Sequence, residues 1–134
     1  MPAFPDCEKL VKDLLEADTG VTALVASRVF MGVPAEAVFP FIVIKQIAGT
    51  DDGSDAPVAR DTIEIQCWGP LRNKASAGAV KDAVREALYN IRRRTTVGGQ
   101  VCHGASLDSI VYVPDSETDR PRYIVTTTVT ATVA

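Results

Sequence analysis

Twelve residues at the C-terminal end, Tyr123 to Ala134, carry no charged side chain and alternate with a period of two. Tyr123, Val125, Val129, Ala131 and Val133 fall on one face, interrupted by Thr127. Thr126, Thr128, Thr130 and Thr132 fall on the other, with Ile124 as the exception. β-Branched residues in strict alternation specify a strand with one buried face. Extended, this segment spans roughly 40 Å, which is long for a small domain. Placed at a sheet edge it would lack the usual protection of lysine, proline or a bulge-forming glycine. The simplest remedy is pairing or burial against another copy of the chain, so the segment points to an assembly protein.

A chain of 134 residues predicts one domain, 1–134, around one modest core. Its 46% hydrophobic and 23% charged residues are ordinary for a globular protein. The net charge of −3 argues against a large nucleic-acid footprint but leaves room for a local basic patch. No apolar run approaches the ~18 residues of a membrane span. The start, Met1-Pro2-Ala3-Phe4-Pro5, lacks the basic and apolar regions of a signal peptide, which points to folding in a cytoplasm. Cys7, Cys67 and Cys102 are odd in number, far apart and form no C-x-x-C pair, a pattern of structural rather than bridging thiols. Cys67 occupies an inward strand position, where a thiol fills space as a small apolar group.

Periodicity predicts a first helix from Asp6 to Ala17, with Leu10, Val11, Leu14 and Leu15 as its apolar stripe. Asp18-Thr19-Gly20 breaks it, and a short helical piece follows from Val21 to Ala26. Phe39 to Ile47 reads as a strand apolar on both faces, hence central or covered on both sides. Ala48 to Ala59 reads as a loop. A second strand covers Asp61 to Trp68, with Ile63, Ile65 and Cys67 inward. The clearest helix runs from Ser76 to Ile91, its face formed by Val80, Val84, Ala87, Leu88 and Ile91. Gly98-Gly99 makes a turn and Gln100 to His103 a short extended piece. Leu107 to Val113 and Arg122 to Val133 form a hairpin around the polar tip Pro114 to Pro121. This order predicts an α+β fold: a two-layer sandwich of an antiparallel four-stranded sheet with helices packed on one face.

The residues offer little for catalysis. His103 is the sole histidine; Cys102 beside it points to the opposite side of an extended backbone, and with Gly104 following, a turn or loop position is expected. No set of three or four ligands has zinc spacing. Asp51-Asp52-Gly53-Ser54-Asp55 fails the EF-hand pattern, with Gly53 at its third position and Thr62 at its twelfth, and reads as a mobile acidic loop. Gly98-Gly99 lacks the frame of a phosphate loop. Arg92-Arg93-Arg94 suits a helix C-terminus through the macrodipole. Three cations in a row exceed that need, so contact with a partner or DNA stands as the alternative. Trp68 either packs in the core, under the second long helix, or anchors a subunit contact. No metal site or cofactor is expected.

Two short elements carry a resemblance: Arg28-Val29-Phe30 before a Gly32/Pro34 loop, and Phe39-Pro40-Phe41 opening a strand. With the alanine- and valine-rich helix and the closing Thr/Val hairpin, they make the chain resemble the tail-completion, or tail-terminator, proteins of long-tailed bacteriophages and prophages. The resemblance spans nearly the whole chain. It implies a non-enzymatic structural protein of the virion, assembled in the host cytoplasm, that forms a hexameric ring on the head-proximal end of the tail tube. Such a ring stops tube polymerisation, presents a joining surface to the head-to-tail connector and lets DNA pass. Another neck protein, or a small ligand-binding domain, is the alternative. Candidate contact residues are Asp51, Asp52 and Asp55 of the acidic loop, Arg92 to Arg94, Glu117, Asp119 and Arg120 of the hairpin tip, and Tyr123, Val125 and Val129 of the last strand.

Overall fold

The computed structural model describes residues 4–51, 58–91 and 95–133, the side chains of 50 and 51 excepted. Helix α1 (Cys7–Ala17) opens on Asp6, whose carboxylate accepts the Lys9 N–H at 3.1 Å. It buries Leu10, Val11 and Leu15. Asp18 closes α1 and opens α2 (Thr19–Val25): its own N–H donates to the Leu15 carbonyl, and its carboxylate accepts from Val21. Helix α3 (Lys74–Asn90) is capped by Asn73, which accepts the Ser76 N–H at 3.1 Å. Its expected stripe is buried, including Ile91 just past its end. Gly69 lets the start of α3 approach the sheet, because a Cβ there would lie 2.9 Å from Ala77.

The sheet has six strands, not four. They are β1 (Val29–Phe30), β2 (Phe41–Asp51), β3 (Ala59–Trp68), β4 (Thr95–Val97), β5 (Gln100–Tyr112) and β6 (Arg122–Val133), in the order β1-β2-β3-β6-β5-β4. It is mixed, because β1 runs parallel to β2. Strands of two and three residues leave no period to read, so Ser27 to Phe30 reads only as the exit into an extended segment, and β4 escapes a sequence reading. Strand β5 starts seven positions before the expected Leu107, and its register shifts at His103 and at Asp108. Bulges of this kind flip the inside–outside alternation. Likewise β2 runs on through Asp51, past a register shift after Gln46, into what reads as loop. Gly98 and Gly99 take positive φ, 58° and 77°, as a two-residue turn between β4 and β5 requires.

One face of the sheet carries the helices. Ile42, Ile44, Ile63, Ile65, Cys67, Val125, Val129 and Ala131 meet the apolar sides of α1 and α3 in a single core. Thr127, the interruption in the inward row of β6, is fully buried and donates its hydroxyl to the Ser106 carbonyl at 2.6 Å. Burial of that hydroxyl therefore leaves no orphaned polar atom.

The decisive placement concerns β6. It lies between β3 and β5 and pairs with both along nearly its whole length. The long uncharged strand is central, so its backbone is satisfied within the chain and needs no second copy.

Candidate assembly surfaces

Two motifs far apart in sequence form one unit. Val29 and Phe30 pair with Ile42 and Val43. The Arg28 Nε donates to the Pro40 carbonyl at 2.9 Å, and the Ile42 N–H donates to the Arg28 carbonyl. The Phe39–Pro40 peptide is cis. Phe41, Val43 and Trp68 make a second small core on the sheet face away from the helices, with Phe30, Ala37 and Phe39 packed against it. Phe41 stacks on Trp68 at 5.4 Å between ring centroids, 13° from parallel. This cluster covers the outer face of β2, so the strand apolar on both sides is indeed covered twice, though it lies next to the edge rather than at the centre.

Trp68 therefore does not pack under α3. It is 6% exposed on the opposite face, and its indole N–H donates to Gln66 Oε1 at 3.1 Å. Strand register lines up Phe41, Trp68 and Arg122 across β2, β3 and β6. The Arg122 guanidinium lies 5.0 Å from the Trp68 ring and that of Arg120 4.5 Å from Phe39, placements that favour cations over π faces. Between this cluster, the 33–37 segment and the hairpin tip opens a cleft of about 390 Å³ whose rim includes Asp115, Glu117, Arg120 and Arg122. Three of the four phenylalanines fall within residues 30–41; that clustering is the sequence signal for the cleft.

The tip itself is ordered by Asp115. Its carboxylate accepts the Thr118 hydroxyl at 2.6 Å and the Thr118 N–H at 3.0 Å. Those bonds, with Arg122 nearby, hold the Asp115 carboxyl below the usual aspartate range. Asp119 takes φ 56°, and its N–H returns to the Asp115 carbonyl. Glu117 and Asp119 are exposed and Arg120 half-buried, so the structure brings these three sequence candidates together around the tip.

The other candidates divide differently. Asp52, Asp55, Arg92, Arg93 and Arg94 lie outside the described residues, and Asp51 is described only as the last backbone position of β2. Val125 and Val129 are 0% and 1% exposed beneath the helices, which leaves them no surface to offer. Tyr123 is half-buried, packed on Tyr112 at 4.9 Å with Lys81 over its ring. The edge role expected of β6 is corrected by strand order. Both edges of the sheet are partly uncovered: β1 pairs only with Ile42 and Val43 of β2, and β4 only with Gln100 to Cys102 of β5. From Gly104 to Tyr112 no described strand borders its outer side, and Leu107, Val111 and Tyr112 are exposed there.

Nothing in this arrangement assembles a reactive centre among the described residues. No three His, Cys, Asp or Glu side chains stand close enough to hold a metal ion. His103 sits on β5 at a bulge rather than in a loop, 2.8 Å from the Thr132 hydroxyl. All three thiols are buried. Burial, with Asp61 beside it, pushes Cys7 up to about 12, and burial also raises Cys67 and Cys102, so none is primed as a nucleophile.

The described residues thus form a two-layer α+β unit with partly unbordered strand edges, a charged hairpin tip and exposed apolar side chains at its margins. The family described as tail completion protein gp17 matches residues 9–132, and the chain belongs to that family. It is thus a structural protein of the bacteriophage virion with a part in completing the tail. Among solved structures, a chain from the virion of a native gene transfer agent particle shares the fold. The TM-score is 0.68 at 18% sequence identity, covering 91% of this chain and 91% of that one. No curated protein sequence matches the chain.

Proposed function

We propose that the protein is a tail terminator: copies close into a hexameric ring on the head-proximal end of the tail tube, stop its polymerisation and give the head-to-tail connector a surface to join. The observation that carries this reading is the uncovered outer side of β5 from Gly104 to Tyr112 in a member of a tail-completion family. An open edge is a template for further pairing or packing, and a ring uses such a patch against a different patch on the next subunit. The hairpin tip with Glu117, Asp119 and Arg120 serves as the outward contact to tube or connector. DNA passes through the closed ring.

The test is size-exclusion chromatography with light scattering across concentration, with negative-stain images of the peak, alone and with purified tail tubes. Closed rings, free or on one end of each tube, support the reading. A monomer that never binds tube ends refutes it.

A further inference from the structure

The two edges of the sheet carry surfaces that match one another and cannot meet within one chain. At the β5 edge, a groove of about 230 Å³ opens between α3 and β5, lined by Arg85, Leu88, Tyr89, Ala105 and Leu107. Leu88 forms its floor, 2% exposed, whereas Leu107 is 41% exposed at the lip. At the opposite edge, the segment 31–38 joins β1 to β2. It presents Met31, Val33 and Val38 to solvent at 45%, 59% and 63%. Three exposed apolar side chains within eight residues give this segment apolar surface to offer a partner.

Charge adds the pairing rule. Arg85 at the groove and Glu36 in the 31–38 segment are both exposed, and neither forms an ion pair with a described residue. Opposite charges on otherwise apolar patches fix register and exclude wrong partners more than they add affinity.

We infer that the 31–38 segment of one copy seats in the α3–β5 groove of the next, with Glu36 facing Arg85. The occupant is a second copy because the chain itself bears both halves, on opposite edges of one sheet. A patch that meets a different patch on its neighbour is the heterologous contact from which a ring closes. This inference rests on the ring reading above and names its subunit contact.

Charge exchange tests it. Arg85→Glu alone and Glu36→Arg alone are expected to raise the concentration needed for assembly at least tenfold, on tube ends if assembly requires them. The double variant R85E/E36R is expected to recover most of that loss. Thermal melts followed by circular dichroism establish that each variant is folded. As a second measurement, Val33→Cys chains mixed with Leu107→Cys chains are expected to give a disulfide-linked dimer under oxidation, while neither variant alone does so. Assembly of both single variants at the wild-type concentration overturns the inference and leaves the ring reading standing. So does assembly that is unaffected while tube-end binding is lost, since the groove would then serve the tube protein. A wild-type chain that never assembles, alone or on tubes, removes both.

Discussion

Trp68→Ala is the perturbation that most directly examines the second core. The indole is 94% withdrawn from solvent, by its 6% exposure, and truncating a buried aromatic costs about 3–5 kcal/mol. Within that figure lie the stack on Phe41, about 0.5–1.5 kcal/mol, and the indole hydrogen bond to Gln66, about 1 kcal/mol net. The Arg122 guanidinium adds about 0.5–1 kcal/mol. The cluster sits on the face away from the helices and lines an open cleft, so its neighbours can relax and water can fill the gap. We therefore expect the low end, about 3 kcal/mol, a large share of the roughly 5–15 kcal/mol that holds a domain folded. With a urea m-value of about 2 kcal/mol/M, the midpoint falls by about 1.5 M. Trp68→Phe keeps a ring on Phe41 and should lose only about 1 kcal/mol, mostly the hydrogen bond and some area. Urea unfolding followed by far-UV circular dichroism reads both, since the chain's sole tryptophan is removed as a fluorescent probe. A midpoint shift for Trp68→Ala below about 0.5 M, at unchanged m, would refute the claim that this cluster stabilises the fold.

Asn73→Ala removes the cap that accepts the Ser76 N–H and should lower stability by about 1 kcal/mol, read from the same urea transition. The Asp115 carboxyl, held below its ordinary range chiefly by Thr118, should titrate by carbon NMR with a depressed midpoint that Thr118→Val moves back up. Because its folded value is the lower one, its contribution to the order of the tip is present above the unfolded aspartate range and disappears as pH falls through the folded value. Cys7, Cys67 and Cys102, buried and with raised thiol values, should resist a thiol reagent at pH 8 in the native protein. All three should react in denaturant; fast labelling of any of them in the native state would contradict the packing described.

The helices and the inner rows of the main strands were legible in the amino-acid sequence because their signals are local. A stripe such as Val80, Val84, Ala87 and Leu88 repeats every turn, and β6 alternates residue by residue, so each announces its own conformation and buried face. Even the inward threonine could be located, though not the Ser106 carbonyl that satisfies it. Family resemblance, too, rested on short local elements around Arg28 and Pro40. Strand order was a different matter. Whether β6 is an edge or the centre depends on which strands reach it from far along the chain, and no residue in Tyr123 to Val133 encodes that. The same holds for the cleft, where Phe39, Trp68 and Arg120 meet only because β1 turns parallel to β2 and the hairpin tip folds over them. Periodicity reports which face of an element is buried; the tertiary structure alone decides what buries it, and so which edge and which surface remain for a partner.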